Sequence, residues 1–399
     1  MCSSQKLCSY EPMSKNSALI LFFFAVFLQA GAYGLTFMLP RLFEGLGSDE
    51  KAVGVMLMFT AIATLLSVYY VGHFSDIVGR VKMLAVGCTA IALALAFYGM
   101  AATVGGMTLI ASLLLGFGWG VTYALCPIVL SQIITGELRV RFFTFLSIAV
   151  MAGFGLSPVF TALLESFGKT TGAAFFVTSL FCLVSALIFL LIDKPIKRHS
   201  LATTKSHKSK LTLTSIRAIF RSPAWLPVTM VLLGASVFAG VTNFQTVLAS
   251  ERGFNYSDYF LIYTITVVLF RFVLARFSGG GKPYLTISLL QYLMCGSIII
   301  FCLISGNDYL YWLFAALFGI GYGVSYPILV AMAAKDADED VVAQTLQLFA
   351  FTYFVGIFGF PLIAGWVIVE FNSGILLMIV SLLAALEASL SLKRAFSTS

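Results

Sequence analysis

The chain has 399 residues, of which 60% are hydrophobic and 10% charged, with a formal net charge of +7 and a mean hydropathy of +1.00. Such a composition lacks the polar surface a water-soluble globule needs and reads as a polytopic membrane protein. The positive balance falls in short segments between apolar runs, which excludes a nucleic-acid-binding face.

Residues 1–16 are polar and lack the basic, apolar, small-residue order of a cleaved signal, so the first apolar run is expected to stay as an anchor. Apolar runs near the length that crosses a bilayer follow at about 17–40, 52–72, 82–103, 107–132, 142–165, 172–192, 225–248, 257–277, 284–305, 309–333, 343–368 and 373–392. One long polar break, 193–222, divides them into six-span halves at 17–192 and 223–392, and 393–399 form a short tail. Within the break, 216–221 reads either as a short amphipathic helix lying on an anionic leaflet or as solvated linker.

Basic residues settle the expected orientation. With the N-terminus inside, Lys6, Lys15, Arg80, Lys82, Arg139, Arg141, eight residues of the central break, Arg276, Lys282, Lys335, Lys393 and Arg394 fall on the cytoplasmic side. Only Arg41, Lys51, Lys169 and Arg252 fall outside, so both termini are predicted to be cytoplasmic, in an inner membrane.

A segment occurs twice. Gly116-Phe117-Gly118-Trp119-Gly120-Val121-Thr122-Tyr123 returns as Gly319-Ile320-Gly321-Tyr322-Gly323-Val324-Ser325-Tyr326, 203 positions later. Gly153 and Gly356, Pro158 and Pro361, and the turns beginning at Gly72 and Ala275 keep the same offset. Matches at one offset imply two copies of one ancestral unit, the construction of many secondary transporters. The glycines are expected to serve close helix crossings.

The seven cysteines show no metal-ligand spacing, and His73, His199 and His207 stand at the cytoplasmic side without a nucleophile or ligand set. No Gly-x-x-x-x-Gly-Lys-Ser/Thr loop occurs, which removes an ATP-driven pump. Neither an enzyme nor a bound cofactor or metal is expected.

The turn between the second and third runs reads Gly72-His73-Phe74-Ser75-Asp76-Ile77-Val78-Gly79-Arg80-Val81-Lys82. It resembles the loop signature of the major facilitator superfamily, Gly-x-x-x-Asp-basic-x-Gly-basic-basic. Gly72, Asp76, Gly79 and Arg80 fit, whereas Ile77 and Val81 replace basic residues. In the second half Gly279-Gly280-Gly281 replaces the acidic core. The whole chain looks like the twelve-span drug and metabolite proton antiporters, although 151–160 keeps only part of the antiporter signature of the fifth span.

The resemblance implies an all-α integral membrane fold of twelve helices in two pseudo-symmetric six-helix bundles. It also implies alternating access to a cavity lined by spans 1, 4, 7 and 10, helped by 2, 5, 8 and 11. Candidate substrate residues are then Gln29, Tyr33, Trp119, Tyr123, Asn243, Gln245, Tyr263, Tyr322, Tyr326, Gln347 and Tyr353, because polar groups at membrane depth face a cavity or a partner. The set is aromatic and amide, suited to a neutral, amphipathic or anionic solute. Arg41 with Glu44 is either an outer gate or an interfacial ion pair, and Arg271 either meets an anion or carboxylate or reaches to the cytoplasmic face. Gly72, Asp76, Gly79 and Arg80 are the expected gate, and Glu387, in a peripheral span, is a weak coupling candidate. The cavity spans show no mid-depth carboxylate, which disfavours a strongly cationic substrate. The expectation is a monomeric, proton-coupled secondary transporter, surrounded by lipid, that exports a small organic solute; import of an anionic metabolite or siderophore-type chelate, or uncoupled passage, is the alternative, and an integral-membrane enzyme or a non-transporting sensor is the alternative of a different class.

Overall fold

The computed structural model describes residues 14–134, 138–199, 211–274 and 282–397. The first thirteen residues, the linker stretch 200–210 and the second copy of the turn at 275–281 lie outside the described residues. Among the described residues twelve helices are long and apolar enough to cross a membrane. In chain order they are span 1 (Lys15–Gly45), span 2 (Glu50–Val78), span 3 (Arg80–Met100), span 4 (Gly106–Ile133), span 5 (Arg141–Ser166), span 6 (Thr171–His199), span 7 (Trp225–Thr242), span 8 (Tyr256–Val273), span 9 (Pro283–Leu303), span 10 (Asp308–Lys335), span 11 (Glu339–Glu370) and span 12 (Ser373–Ser397).

Each half closes on itself. Span 3 packs on spans 4 and 6, span 2 on 4, and span 1 on 5 and 6; the pattern repeats as span 9 on 10 and 12, span 8 on 10, and span 7 on 11 and 12. The two bundles meet along two seams, span 2 against 11 and span 5 against 8.

Small residues set these distances, since lipid supplies no hydrophobic drive between helices. A methyl built on Gly116 would lie 2.3 Å from the Thr60 carbonyl oxygen, and at this crossing the Thr64 hydroxyl donates to the Gly116 carbonyl at 3.1 Å. Gly153 would meet the Phe27 carbonyl at 2.6 Å and its repeat partner Gly356 the Leu232 carbonyl at 2.8 Å, so both copies seat span 5 on 1 and span 11 on 7. Ser157 to Gly31, Ser179 to Ala92, Ser185 to Ala25 and Ser288 to Ala388 are further hydroxyl-to-carbonyl bonds between spans, at 2.7–2.9 Å. Such bonds average about 0.6 kcal/mol each in a membrane protein.

Several helices are broken, two of them beside a proline. Span 1 runs helical to Gly34, tightens through Leu35–Met38 and resumes at Leu39–Gly45 with Pro40 in its first turn, where its missing N–H is harmless. Span 7 stops at Thr242 and a short helix, Gln245–Ser250, follows. Span 11 widens to a π turn at Val355–Gly359 before Pro361.

Two details differ from the expected boundaries. Span 6 continues past 192 to His199, because Asp193 pairs with Lys197 one turn on (2.8 Å) and Lys197, Arg198 and His199 complement the helix C-terminus. The linker holds a helix at Leu213–Arg221, capped by Thr212, that buries Ser215 and Ile219 against spans 7 and 11 and leaves Arg217 and Arg221 exposed. The turn at Gly79 has φ of 95°, open to glycine, and Gly79 ends span 2 and starts span 3. Gly79 itself offers span 3 no capping side chain; Asp76 is exposed on the last turn of span 2 and Arg80 half-buried on the first of span 3.

Candidate functional site

A cavity of ≈ 250 Å³ lies between the bundles, on the side of the termini and linker. Its N-terminal-half wall is Val26 and Gln29 of span 1, Trp119, Thr122, Tyr123, Cys126 and Pro127 of span 4, and an apolar face of span 5 from Phe143 to Phe154. The facing wall is Arg271 of span 8, Tyr322 and Tyr326 of span 10, and Tyr353 of span 11. One side is thus greasy and the other carries a cation among phenols.

Arg271 is the charged residue among those lining the cavity. It is 8% exposed, so it does not reach to the surface, and its Nε lacks a partner among the described residues. A guanidinium held this way has donors left over for a ligand, in the fork geometry that matches a carboxylate or phosphate.

The phenols form a connected group. The Tyr123 and Tyr326 hydroxyls are hydrogen-bonded at 3.1 Å, and the Tyr353 ring lies 5.2 Å from Tyr326 and 6.2 Å from Tyr123. Tyr322 stacks on Phe238 at 4.4 Å. Tyr33 sits behind the lining, stacked on Trp119 at 4.8 Å, and its hydroxyl is unpartnered among the described residues. Tyr263 is likewise one layer back, beside Phe238, Tyr259 and Phe318. Gln29 reaches the cavity, and its amide oxygen too lacks a partner among the described residues.

Asn243, Gln245 and Gln347 are placed apart from the cavity. The break after Thr242 directs the first two elsewhere: Asn243 donates to the Ala239 carbonyl (3.1 Å) and Gln245 to the Tyr311 hydroxyl (2.8 Å). Gln347 is half-buried on span 11. Spans 2 and 7 contribute no lining residue among the described ones, whereas span 5 contributes most of the apolar wall, in an apolar sequence pattern that reads the same as a lipid-facing one.

At the end away from the linker, Arg41 pairs with Glu165 rather than Glu44. Its Nε donates to both carboxylate oxygens at 2.9 and 3.0 Å, and Glu165 also accepts from Thr171 (2.6 Å) and Tyr256 (3.0 Å). Tyr256 belongs to the other half, so the cluster ties span 5 to span 8. Lys51 and Glu370 form a second ion pair, across span 2 and span 11. Glu44 is exposed beside Arg41 in a separate cleft of ≈ 120 Å³ with Glu50 and Glu251. No local pattern marks the Arg41–Glu165 pair, whose members are 124 positions apart.

Glycine brings the seams together at this end and at mid-depth. Methyls on Gly54 and Gly365 would lie 2.6 Å from the Pro361 carbonyl and 2.1 Å from that of Glu50, and one on Gly155 would fall 1.4 Å from Thr264 Oγ1. The molecule is therefore held shut away from the linker, with its cavity on the linker side.

Residues 21–361 match the sequence profile of the Major Facilitator Superfamily. The chain belongs to that superfamily. Among solved structures it resembles a point mutant of the nucleoside transporter NupG with a TM-score of 0.74 at 18% identity, covering 94% of this chain and 99% of that one. A POT family transporter in complex with thioalcohol conjugated peptide gives 0.75 at 15%, covering 93% and 94%. A point mutant of a peptide transporter POT in complex with sulfate gives 0.76 at 15%, covering 96% and 95%. A comparison with curated protein sequences returns no match. Superfamily membership makes the chain a multi-pass membrane transporter of the secondary type, not an enzyme.

Proposed function

We propose that this transporter carries a small organic anion with an apolar or aromatic body, held by Arg271 and the phenols on one side and by span 5 on the other. The observation that carries this reading is the buried, incompletely partnered guanidinium in an otherwise uncharged cavity. A neutral solute would leave that cation desolvated and uncompensated, whereas an anion satisfies it.

Transport follows from the two seams. Residues 17–192 and 223–392 rock as bodies about the cavity, and the linker 193–222 joins them. The clustering of basic residues at the linker end supports cytoplasmic termini in an inner membrane, so the described conformation is open inward. Gly72, Asp76, Gly79 and Arg80 are assigned to the gate at that end on the loop signature. The cavity is completed within one chain, which supports a monomer.

Export is the leading direction. At an inside-negative potential each 100 mV favours expulsion of a monoanion by about 2.3 kcal/mol, and exchange for an entering proton adds to that drive. Uptake of an anionic metabolite or chelate needs a proton for each charge, and the buried carboxyl of Glu387 favours it as the second reading.

The test is reconstitution in liposomes loaded with a pH-sensitive dye and a screen of matched neutral, anionic and cationic solutes. Anion-dependent flux supports the reading, and the sign of the dye response separates export in exchange for protons from uptake with them. Flux of cations alone contradicts it.

A further inference from the structure

Glu387 of span 12 is fully buried. Its Oε1 accepts from Gln291 Nε2 of span 9 at 2.8 Å, and its Oε2 has no partner among the described residues. Gly234 of span 7 backs the carboxyl; a methyl there would stand 3.0 Å from Oε2, so span 7 leaves the room it occupies. Spans 7, 9 and 11 pack against span 12, and among the described residues none of them faces the carboxyl with a charged side chain. The Cys295 thiol of span 9, one turn from Gln291, is directed to the Ser381 carbonyl at 3.4 Å instead. On span 12 itself Arg394, two turns further on, is engaged by Asp336 at 3.7 Å.

The same Gln291 amide also donates to Ser325 Oγ at 3.1 Å, and Ser325 donates to the Tyr322 carbonyl at 3.1 Å. Ser325 lies inside the repeated segment of span 10, between the cavity residues Tyr322 and Tyr326. A continuous chain of hydrogen bonds therefore runs from a lone carboxyl to the backbone that carries the cavity phenols.

The first half shows that the fold does not need this carboxyl. The counterpart of Gln291, 203 positions earlier, is Cys88, and it meets the hydroxyl of Ser185 on span 6 at 3.5 Å. At the same offset Glu387 falls on Val184, an exposed apolar residue, so the seam between spans 3 and 6 closes without the acid that the seam between spans 9 and 12 carries. A buried acid in one copy where the other has an exposed valine points to a use for the proton.

We infer that Glu387 is the proton-binding site of the coupled cycle, linked to the cavity through Gln291 and Ser325. One proton adds to the carboxylate at Oε2, giving a neutral acid and removing the site's negative charge, while Oε1 keeps the Gln291 bond. Loss of that proton leaves an anion that draws the amide, and with it Ser325 and the span 10 segment at Tyr322. This rests on the reading of the chain as a proton-coupled carrier, but its test needs no solute.

The experiment is infrared difference spectroscopy of the protein in liposomes between acid and alkaline buffer, with fluorescence of Trp119 in a variant whose Trp225, Trp312 and Trp366 are phenylalanine. The expected result is a protonated-carboxyl band that disappears on alkalinisation and is absent from Glu387→Gln, together with loss of the Trp119 response in that variant. Ser325→Ala keeps the band and loses the Trp119 response. A band unchanged by Glu387→Gln, or a Trp119 response that survives in either variant, overturns the inference. Should Glu387→Gln not fold, Ser325→Ala decides alone. A silent solute screen alongside a titrating band would count against the proposed substrate and not against this site.

Discussion

Tyr123 and Tyr326 occupy the same place in the two copies of the repeat, 203 positions apart, and their hydroxyls meet at 3.1 Å across the cavity. Their bond is the pseudo-symmetry axis made into a contact, and it must break whenever spans 4 and 10 separate there. A neutral hydrogen bond contributes about 1 kcal/mol net. Tyr326→Phe is therefore expected to widen the linker-side opening and speed exchange roughly fivefold without loss of fold, as read by solute counterflow. Slower exchange would mean the hydroxyl serves the solute rather than the closure.

Arg271 makes the sharper prediction. Removing one member of a buried charge pair costs about 2 kcal/mol or more, roughly 30-fold in affinity. Arg271→Gln should lose anion binding by that factor while thermal stability holds or rises, since a desolvated cation has gone; Arg271→Lys, lacking the planar fork, should recover it only in part. Thermal-shift titration with the anion found in the screen checks both.

In the proposed cycle the cluster at the far end is the latch. Glu165 accepts from Arg41, Thr171 and Tyr256, and a single exposed pair is worth only about 0–1 kcal/mol, so the three together matter more than Arg41 alone. Glu165→Ala should shift the population toward opening at that end, seen as a longer distance between spin labels on spans 5 and 8. Arg41→Ala should do so less, and the effect should shrink at high salt.

Seam packing gives an independent handle. A methyl on Gly155 would overlap Thr264 Oγ1, which itself donates to the Phe260 carbonyl at 2.6 Å. Gly155→Ala is expected to destabilise the described closure by about 1–3 kcal/mol, and Thr264→Ala to restore much of it. Cysteine accessibility at the far end is the readout, and no rescue by the double variant would place the strain elsewhere.

The fold was largely legible because its signals lie in the sequence itself: apolar length set the spans, the 203-residue offset exposed the duplication, and Gly79 marked the turn. The lining of the candidate cavity was legible where residue type decides it, at Trp119, Tyr123, Tyr322, Tyr326, Tyr353 and Gln29. It was hidden where three-dimensional placement decides it. Asn243 and Gln245 are polar at membrane depth but engaged by Ala239 and Tyr311. The pairing of Glu165 with Arg41 depends on how span 1 packs on span 5, across 124 positions of sequence. Glu387 looked peripheral, yet the turn it occupies on span 12 points inward, a rotation that hydropathy does not encode.

The most direct test is the uptake by liposomes of a matched pair of solutes, an aromatic carboxylate and its primary amide, with wild type and Arg271→Gln. The account predicts that wild type prefers the carboxylate and that the variant loses this preference by roughly 30-fold while remaining folded. Preference for the amide by wild type, or an unchanged preference for the carboxylate in Arg271→Gln, would contradict it.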